Sequence, residues 1–458
     1  MRPPRTGGLP LWAGHAMAAE ELIARVRSVV GEEHLTTLPE RLAARAVEGV
    51  SPAALVQPGS PEEVGDVLRA AGEAGGAVIP WGAGLHQHLG GIPRRADLIV
   101  ETTRLQGITD YTPADYVVSV RTGTRLGEVQ EALGAHGQWL PLDPPGGEGG
   151  TLGGLIAANR NGPRRLLWGS IRDLLIGIKV ALPTGEVVKA GGKVVKNVAG
   201  YDLVKLFIGS FGAMGIITEA TFKVSPRPPE ALTILVTVPD LATAHAITSA
   251  VMRSYLLPSA LEAVNPPALD RLLTLAGLDG SRDRRWGVLL LAEGLHENLQ
   301  RHVREVNQAA KDLGNVEVLS GRPHEALWQA IAEFPSPAGH PGRVLLRAGG
   351  PIARWVEFAR TADGGAREGR IEVLAHAGAG IVYAAAPAES GPALVAAMGE
   401  TATRVEGYVV VEVAPPHLKA SLPLWGPPPD GLDLMRKLRA QFDPQGIMVP
   451  GRLGWSLS

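Results

Sequence analysis

Asp143-Pro144-Pro145-Gly146-Gly147-Glu148-Gly149-Gly150-Thr151-Leu152-Gly153-Gly154-Leu155-Ile156-Ala157-Ala158-Asn159-Arg160-Asn161 is the stretch on which the reading of this chain turns. Glycine permits positive φ and leaves no Cβ between the main chain and whatever lies against it. Consecutive N–H groups in such turns form an anion-binding concavity. The small-residue run predicts a helix from near Gly153, its positive end facing the same place. Alone, a Gly-rich tract reads as a mobile surface loop. A second such loop upstream, Pro80 to Gly91 (PWGAGLHQHLGG), changes that reading.

Around these loops lies an ordinary globular composition. The chain has 458 residues, enough for two or three domains with ample core. Its net charge of −2, without a block of like charges, offers nothing to nucleic acid or an anionic membrane. Cysteine is absent, which excludes disulfides, thiolate catalysis, a cysteinyl flavin link and cysteine-ligated zinc or iron–sulfur clusters within this chain. No apolar run reaches the ~18 residues of a membrane span. The N-terminal MRPPRTGGLPLWAGHA lacks the apolar core of a signal peptide. Met17 is as good a start as Met1, because helical amphipathicity begins only at Ala19. A cytoplasmic protein is expected, reaching a membrane only through partners.

Residues 1–18 are expected to be loosely held, followed by a helix from Glu20 to Val30. Ser60-Pro61-Glu62-Glu63 reads as a capping box opening another. The strand Ala77 to Pro80 leads into the first glycine loop. Strands are expected at Ala96–Glu101 and Tyr116–Arg121, a helix at Arg125–His136, and a hairpin of Leu174–Leu182 with Glu186–Ala190. Ser225-Pro226-Arg227-Pro228-Pro229 marks a boundary, since its prolines extend neither helix nor strand. Beyond it, strands at 232–238, 286–293, 343–347, 371–375 and 409–413 alternate with helices at 297–313, 325–333, 352–361 and 394–405. Their amphipathicity suits helices on one face of an antiparallel sheet. No internal repeat is visible.

The nucleotide motifs divide the possibilities. Gly191-Gly192-Lys193-Val194 lacks the Ser/Thr of a Walker A loop. Gly82-Ala83-Gly84-Leu85-His86-Gln87 lacks the third glycine of a dinucleotide fingerprint. Two glycine loops on separate subdomains suit another arrangement, in which one wraps a pyrophosphate and the other lets the rest of the ligand pass the main chain. Gly209 to Ile217 is a third approach point, with main-chain groups for a flat heterocycle.

In this form the chain resembles the FAD-linked oxidases of the vanillyl-alcohol oxidase/p-cresol methylhydroxylase type. PWGAGLHQHLGG matches the pyrophosphate loop usually written PxGGGT. TLGGLIAAN, NGPRR and GSIRDLLIG match the second FAD segment. KNVAGYDLVKLFIGSFGAMGIITEATFKVSPRP is the fullest match, and FDPQGIMVPGRL matches a C-terminal segment that returns to the flavin. The resemblance covers about Val56 to Arg227 plus the tail, and is greatest to the FAD-binding subunit of bacterial glycolate oxidase. It implies an α+β fold: a two-subdomain FAD-binding domain in residues 1–227, rejoined by 416–458, and an α+β, ferredoxin-like cap in 228–415. It implies non-covalent FAD, with Trp81, Gly82, Ala83, Gly84, Leu85 and Gly90 around the pyrophosphate. Pro144, Pro145, Thr151, Gly153, Gly154, Ala157, Gly162, Gly215 and Ile217 would line the remainder. It also implies oxidation of glycolate to glyoxylate in a complex with a sister flavoprotein subunit and an iron–sulfur subunit.

Relatives with a histidyl flavin carry the His directly after the paired glycines; here Leu85 stands there and His86 is one place late. Arg164, Arg165 and Arg172 read either as phosphate or partner contacts or as ordinary surface, with Arg172-Asp173 a local pair. Tyr201 reads as a packed aromatic, and Lys196-Asn197 as a brace beneath the flavin. Relatives that oxidise 2-hydroxy acids carry HxGDGNxH, whose two His help hold a divalent metal. The corresponding run is His376-Ala377-Gly378-Ala379-Gly380-Ile381-Val382-Tyr383. A lone His376 holds no metal tightly, so no metal is expected and the catalytic residues stay open.

Overall fold

The computed structural model describes residues 11–193, 201–280, 285–364, 370–455 and 457, with side chains from residue 19 onward. Four short strands, β1 (Leu35–Thr36), β2 (Ala54–Val56), β3 (Val78–Trp81) and β4 (Leu98–Glu101), form a sheet in the order β1-β2-β4-β3. β2 and β3 both run parallel to β4, so a crossover must join them. The helix Pro61–Ala74 provides it. Ser60 Oγ accepts the Glu63 N–H at 3.0 Å, while the Glu63 carboxylate accepts from Gly59 at 2.8 Å. The expected capping box thus closes one residue earlier than its usual form. Val64, Val67, Leu68 and Ala71 of this helix pack on Val56, Val78, Leu98 and Val100.

The second sheet joins β5 (Ile108–Thr112), β6 (Val117–Arg121), β8 (Leu175–Ala181), β9 (Val187–Gly191) and β10 (Ile216–Lys223) in the order β5-β6-β10-β8-β9. All its pairings are antiparallel, the β8–β9 hairpin among them. A ribbon of β7 (Gln138–Trp139) and β11 (Ser225–Pro226) stands beside it. The expectation that the proline run enters no element therefore needs correcting, since proline is tolerated on an edge strand. The N-terminal helix also starts earlier than expected, spanning Leu11–Val30. Leu22 and Val26 draw it onto the first core.

Residues 230–413 build one antiparallel sheet. It comprises β12 (Glu230–Val238), β13 (Ala260–Val264), β14 (Trp286–Gly294), β15 (Asn315–Leu319), β16 (Arg343–Gly349), β17 (Glu372–His376), β18 (Ile381–Pro387) and β19 (Tyr408–Val413). The spatial order is β15-β12-β14-β13-β17-β18-β16-β19. It is two βαββαβ units of the ferredoxin-like kind, sewn together where β13 pairs with β17. The duplication is structural and leaves no trace in the sequence. Helices Leu241–Arg253, His296–Ala310, Trp355–Gly364 and Gly391–Arg404 cover one face. Helices Pro266–Leu275 and Gly321–Glu333 cover part of the other. The expectation of helices on a single face is corrected by this second pair, which shields Leu235, Leu289, Leu291 and Leu345 from water.

After the helix Leu432–Phe442 the tail returns to the first sheet. Val78 donates to Ile447 O at 2.8 Å, and Val449 donates to Val78 O at 2.9 Å. This places Val449 and Arg452 beside the loop that follows β3.

Candidate functional site

At Trp81 the chain leaves β3 and enters Gly82 to Gln87, which faces Gly150, Thr151 and the helix Leu152–Ala158 across a cleft. Of the residues expected at a cofactor, Trp81, Gly82, Ala83, Gly84, Leu85, Thr151, Gly153, Gly154, Ala157, Gly215 and Ile217 line this one cleft. Gly90, Pro144, Pro145 and Gly162 lie outside its lining. Gly90, at φ 82, packs beneath the Arg452 carbonyl, where a Cβ would come within 2.6 Å. Gly162 packs on the Asp143 carbonyl with no room for a side chain. Pro144 borders a separate crevice with Trp139, Arg164 and Trp328. Gly90 and Gly162 thus sit where their loops pack on other main chain.

The cleft suits a dinucleotide with a doubly charged centre. A Cβ on Gly82 would overlap Thr151 Oγ1, so the two loops meet only because it is absent. The N–H groups of Gly82 to His86 donate to no acceptor among the described residues. The Thr151 hydroxyl is buried and equally unpartnered. Arg452, 5% exposed, reaches the same place. It donates to Gly91 O at 3.0 Å, to Gln87 O at 2.7 Å and to Leu89 O, and to no carboxylate among the described residues. Burial lowers its pKa to about 10, a cost that an anion in the cleft would relieve. Arg452, Phe211 and Thr102 are lining residues that motif reading passed over. Arg452 lay within FDPQGIMVPGRL, and its place in that returning tail was the only signal the sequence offered.

His86 and His88 flank the glycine loop, each with a buried, unpartnered Nε2. Burial first, then the Arg160 charge, holds His86 well below the ordinary imidazole range and brings His88 down to about 4. Both are neutral at physiological pH.

The roof is the face of the large sheet not covered by its four helices. Successive strand residues alternate faces, so Glu262, Glu293, Arg347, His376 and Tyr383 share a face with Val264, Leu291, Leu345, Leu374 and Ala385. His376 Nδ1 lies 2.6 Å from Glu262 Oε2. Among the described residues no group of three His, Cys, Asp or Glu could hold a metal. Arg164 bridges the two halves of the chain, with Nε on Glu293 at 2.9 Å and Nη1 near Asp143 at 3.5 Å. Trp168 Nε1 donates to the same Glu293 at 3.0 Å. Burial pushes Asp143 up to about 7 against the pull of Arg164. Arg160 donates from Nη1 to both Glu412 oxygens, at 2.8 and 2.9 Å, and Arg347 Nε donates to Oε1 at 2.7 Å.

Tyr201, read as a packed aromatic, is 94% exposed; no neighbouring element among the described residues covers it. Asp173 bonds Ser170, closing a capping box on the helix Ile171–Leu174. The expected Arg172-Asp173 pair is thereby displaced. Lys196-Asn197 lie outside the described residues.

Two family models match the chain in order, the FAD binding domain over residues 52–191 and the FAD linked oxidase C-terminal domain over 227–350 and 426–453. The chain is 26% identical to the glycolate oxidase subunit GlcD of Bacillus subtilis over 422 residues, which is 88% of this chain and 89% of that one. It is 26% identical to a D-lactate dehydrogenase of Archaeoglobus fulgidus over 445 residues, 91% and 94% of the two chains. Identity rises to 44% with the glycolate oxidase subunit GlcE of Escherichia coli, over 130 residues, 28% of this chain and 37% of that one. In fold it is similar to p-cresol methylhydroxylase with substrate bound, at a TM-score of 0.71 and 15% identity, covering 97% of each chain. With this fold and both models matched in order along it, the chain carries an FAD binding domain and an FAD linked oxidase C-terminal domain and is an FAD-dependent oxidoreductase.

Proposed function

We propose that this chain oxidises a small 2-hydroxy acid as the FAD-bearing subunit of a glycolate-oxidase-type assembly. The observation that carries the reading is the polar roof: a buried imidazole–carboxylate pair and Arg347 on one sheet face, joined through Glu412 by Arg160 from just beyond the helix that lines the glycine cleft. The full-length likeness to GlcD and to a D-lactate dehydrogenase supports a hydroxy-acid substrate. It also favours a chain that oxidises the acid itself. The shorter likeness to GlcE supports the narrower reading, a counterpart of the FAD-binding subunit of bacterial glycolate oxidase. We divide the molecule at about residue 227, with 228–415 as cap and 416–458 rejoining the FAD-binding domain.

In this reading Gly82 to His86 and Thr151 offer neutral donors to the pyrophosphate, and Arg452 offers charge. FAD supplies the two-electron acceptor for the hydride that leaves C2 of the acid. Glu262 fixes Nδ1 of His376, leaving Nε2 as the nitrogen that takes the hydroxyl proton. Burial raises the Glu262 carboxyl while His376 holds it down. Since the chain has no cysteine, onward transfer through iron–sulfur clusters would use a separate protein chain. No helix of the described residues is long and apolar enough to cross a membrane.

The test is anaerobic mixing of the purified, FAD-loaded chain with glycolate or D-lactate while the visible flavin band is followed. Bleaching by the chain alone supports the reading. Bleaching only after a sister flavoprotein is added makes this chain accessory. Failure in both cases removes the hydroxy-acid assignment.

A further inference from the structure

The helix Leu152–Ala158 ends at Asn159, which adopts the left-handed conformation (φ 49, ψ 49). The reversal sends the next side chain, Arg160, up into the roof, where it is 4% exposed. Its Nη1 is fixed on Glu412, but Nε and Nη2 are buried and bond nothing among the described residues. Glu412 also holds Arg347, whose Nη1 reaches the Tyr408 hydroxyl at 3.3 Å. Burial would raise the Glu412 carboxyl, but the two guanidiniums hold it below its ordinary value.

One carboxylate therefore faces two guanidiniums, and the cluster carries an excess positive charge. Nothing close by among the described residues offsets it. His86 and His88 are neutral, and burial keeps Tyr383 a phenol, raised to about 12. Lys419 is a further cation, already paired with Glu48 at 2.5 Å. Glu262 and Glu293 are committed to His376 and to Arg164 and Trp168. Buried charge without a partner is costly, and so are buried donors without acceptors. The Nε and Nη2 hydrogens of a guanidinium form a planar fork that a carboxylate fills with two parallel bonds. The fork belongs to the second residue after Ala158, which lines the FAD cleft, and His86 on the facing loop of that cleft feels the Arg160 charge.

We propose that the free Nε–Nη2 edge of Arg160 receives the substrate carboxylate while Glu412 holds the opposite edge, so that Arg160 selects a hydroxy acid over a neutral alcohol. This rests on the hydroxy-acid reading above and names the residue that recognises the acid.

The FAD-loaded chain is titrated with oxalate, an unreactive carboxylate, by its perturbation of the flavin spectrum and by calorimetry. Arg160→Gln weakens oxalate about a hundredfold with FAD content unchanged, the usual scale for removing one member of a buried charge pair. Arg160→Lys, which keeps the charge and loses the fork, weakens it about tenfold. Affinity for glycolamide, the uncharged counterpart of glycolate, is unchanged in both. Equal oxalate affinity in wild type and variants overturns the proposal, as does wild type that binds no oxalate. Loss of FAD from Arg160→Gln also overturns it, because the fork would then serve the cofactor. If Arg160→Gln fails to fold, Arg160→Lys decides, and undiminished oxalate affinity there is fatal. Arg160-dependent oxalate binding without reduction by any hydroxy acid leaves Arg160 standing and removes the reaction. Reduction by glycolate with an unchanged KM in Arg160→Gln does the reverse.

Discussion

A single methyl group decides whether the two glycine loops can meet. Gly82 lies so close to Thr151 that Gly82→Ala must push the loops apart. The purified variant is expected to lack the visible flavin band and to regain none on adding FAD. Gly134→Ala is the control: its Cβ would meet nothing within 4 Å, so it keeps the flavin and gains up to about 1 kcal/mol from a stiffer unfolded chain. His88 makes a second prediction. Its folded value of about 4 lies below the ordinary 6.5, so the fold holds the neutral ring. That contribution is complete above pH 6.5 and drains away as pH falls toward 4. Urea midpoints measured across this window should drop for wild type and drop less for His88→Gln. Asp143, raised to about 7, tilts the other way, removing stability as pH rises toward that value. The glycines were legible as single letters, because an absent side chain means the same thing in any fold. Arg160 was not, because an arginine acquires meaning only from what surrounds it.

Among elements, the strand β19 and the turn after Leu152–Ala158 are tied by one contact, Glu412 with Arg160. Glu412→Gln leaves two guanidiniums facing each other in the interior. It should cost about 3–5 kcal/mol, measured by urea unfolding. Changing Arg160 and Glu412 together should recover much of the loss in a double-mutant cycle. Continuous apolar runs such as β12 and β14 could be read directly, as could helix Pro61–Ala74 with its Ser60 cap. β13, β15 and β18 could not, nor could helices Leu241–Arg253 and Pro266–Leu275. Ala260-Leu261-Glu262-Ala263-Val264 has an ordinary pattern and is made a strand by β14 and β17 on its two sides. Its Glu262, buried beside His376, belongs to the site only through that pairing.

At the scale of the whole molecule the last residues close the first domain. Residues 447–449 bond to Val78, and Arg452 grips the carbonyls of 87, 89 and 91. Truncation after Phe442 should therefore release FAD and lower the melting temperature, even though the cap sheet loses no strand; thermal melts with flavin fluorescence check this. From its amino acids alone this chain dictated where its backbone would be bare, that no cysteine chemistry was available, and which short helices and hairpins would form. Those are local matters, settled by φ, by capping and by side chains missing or present. The doubling of the cap, the roof of Glu262, His376, Arg347 and Glu412, and the stranded fork of Arg160 were decided by tertiary structure. Burial and pairing there join Arg160 to Glu412, 252 positions away, and a charge without a partner exists only once the chain has folded around it.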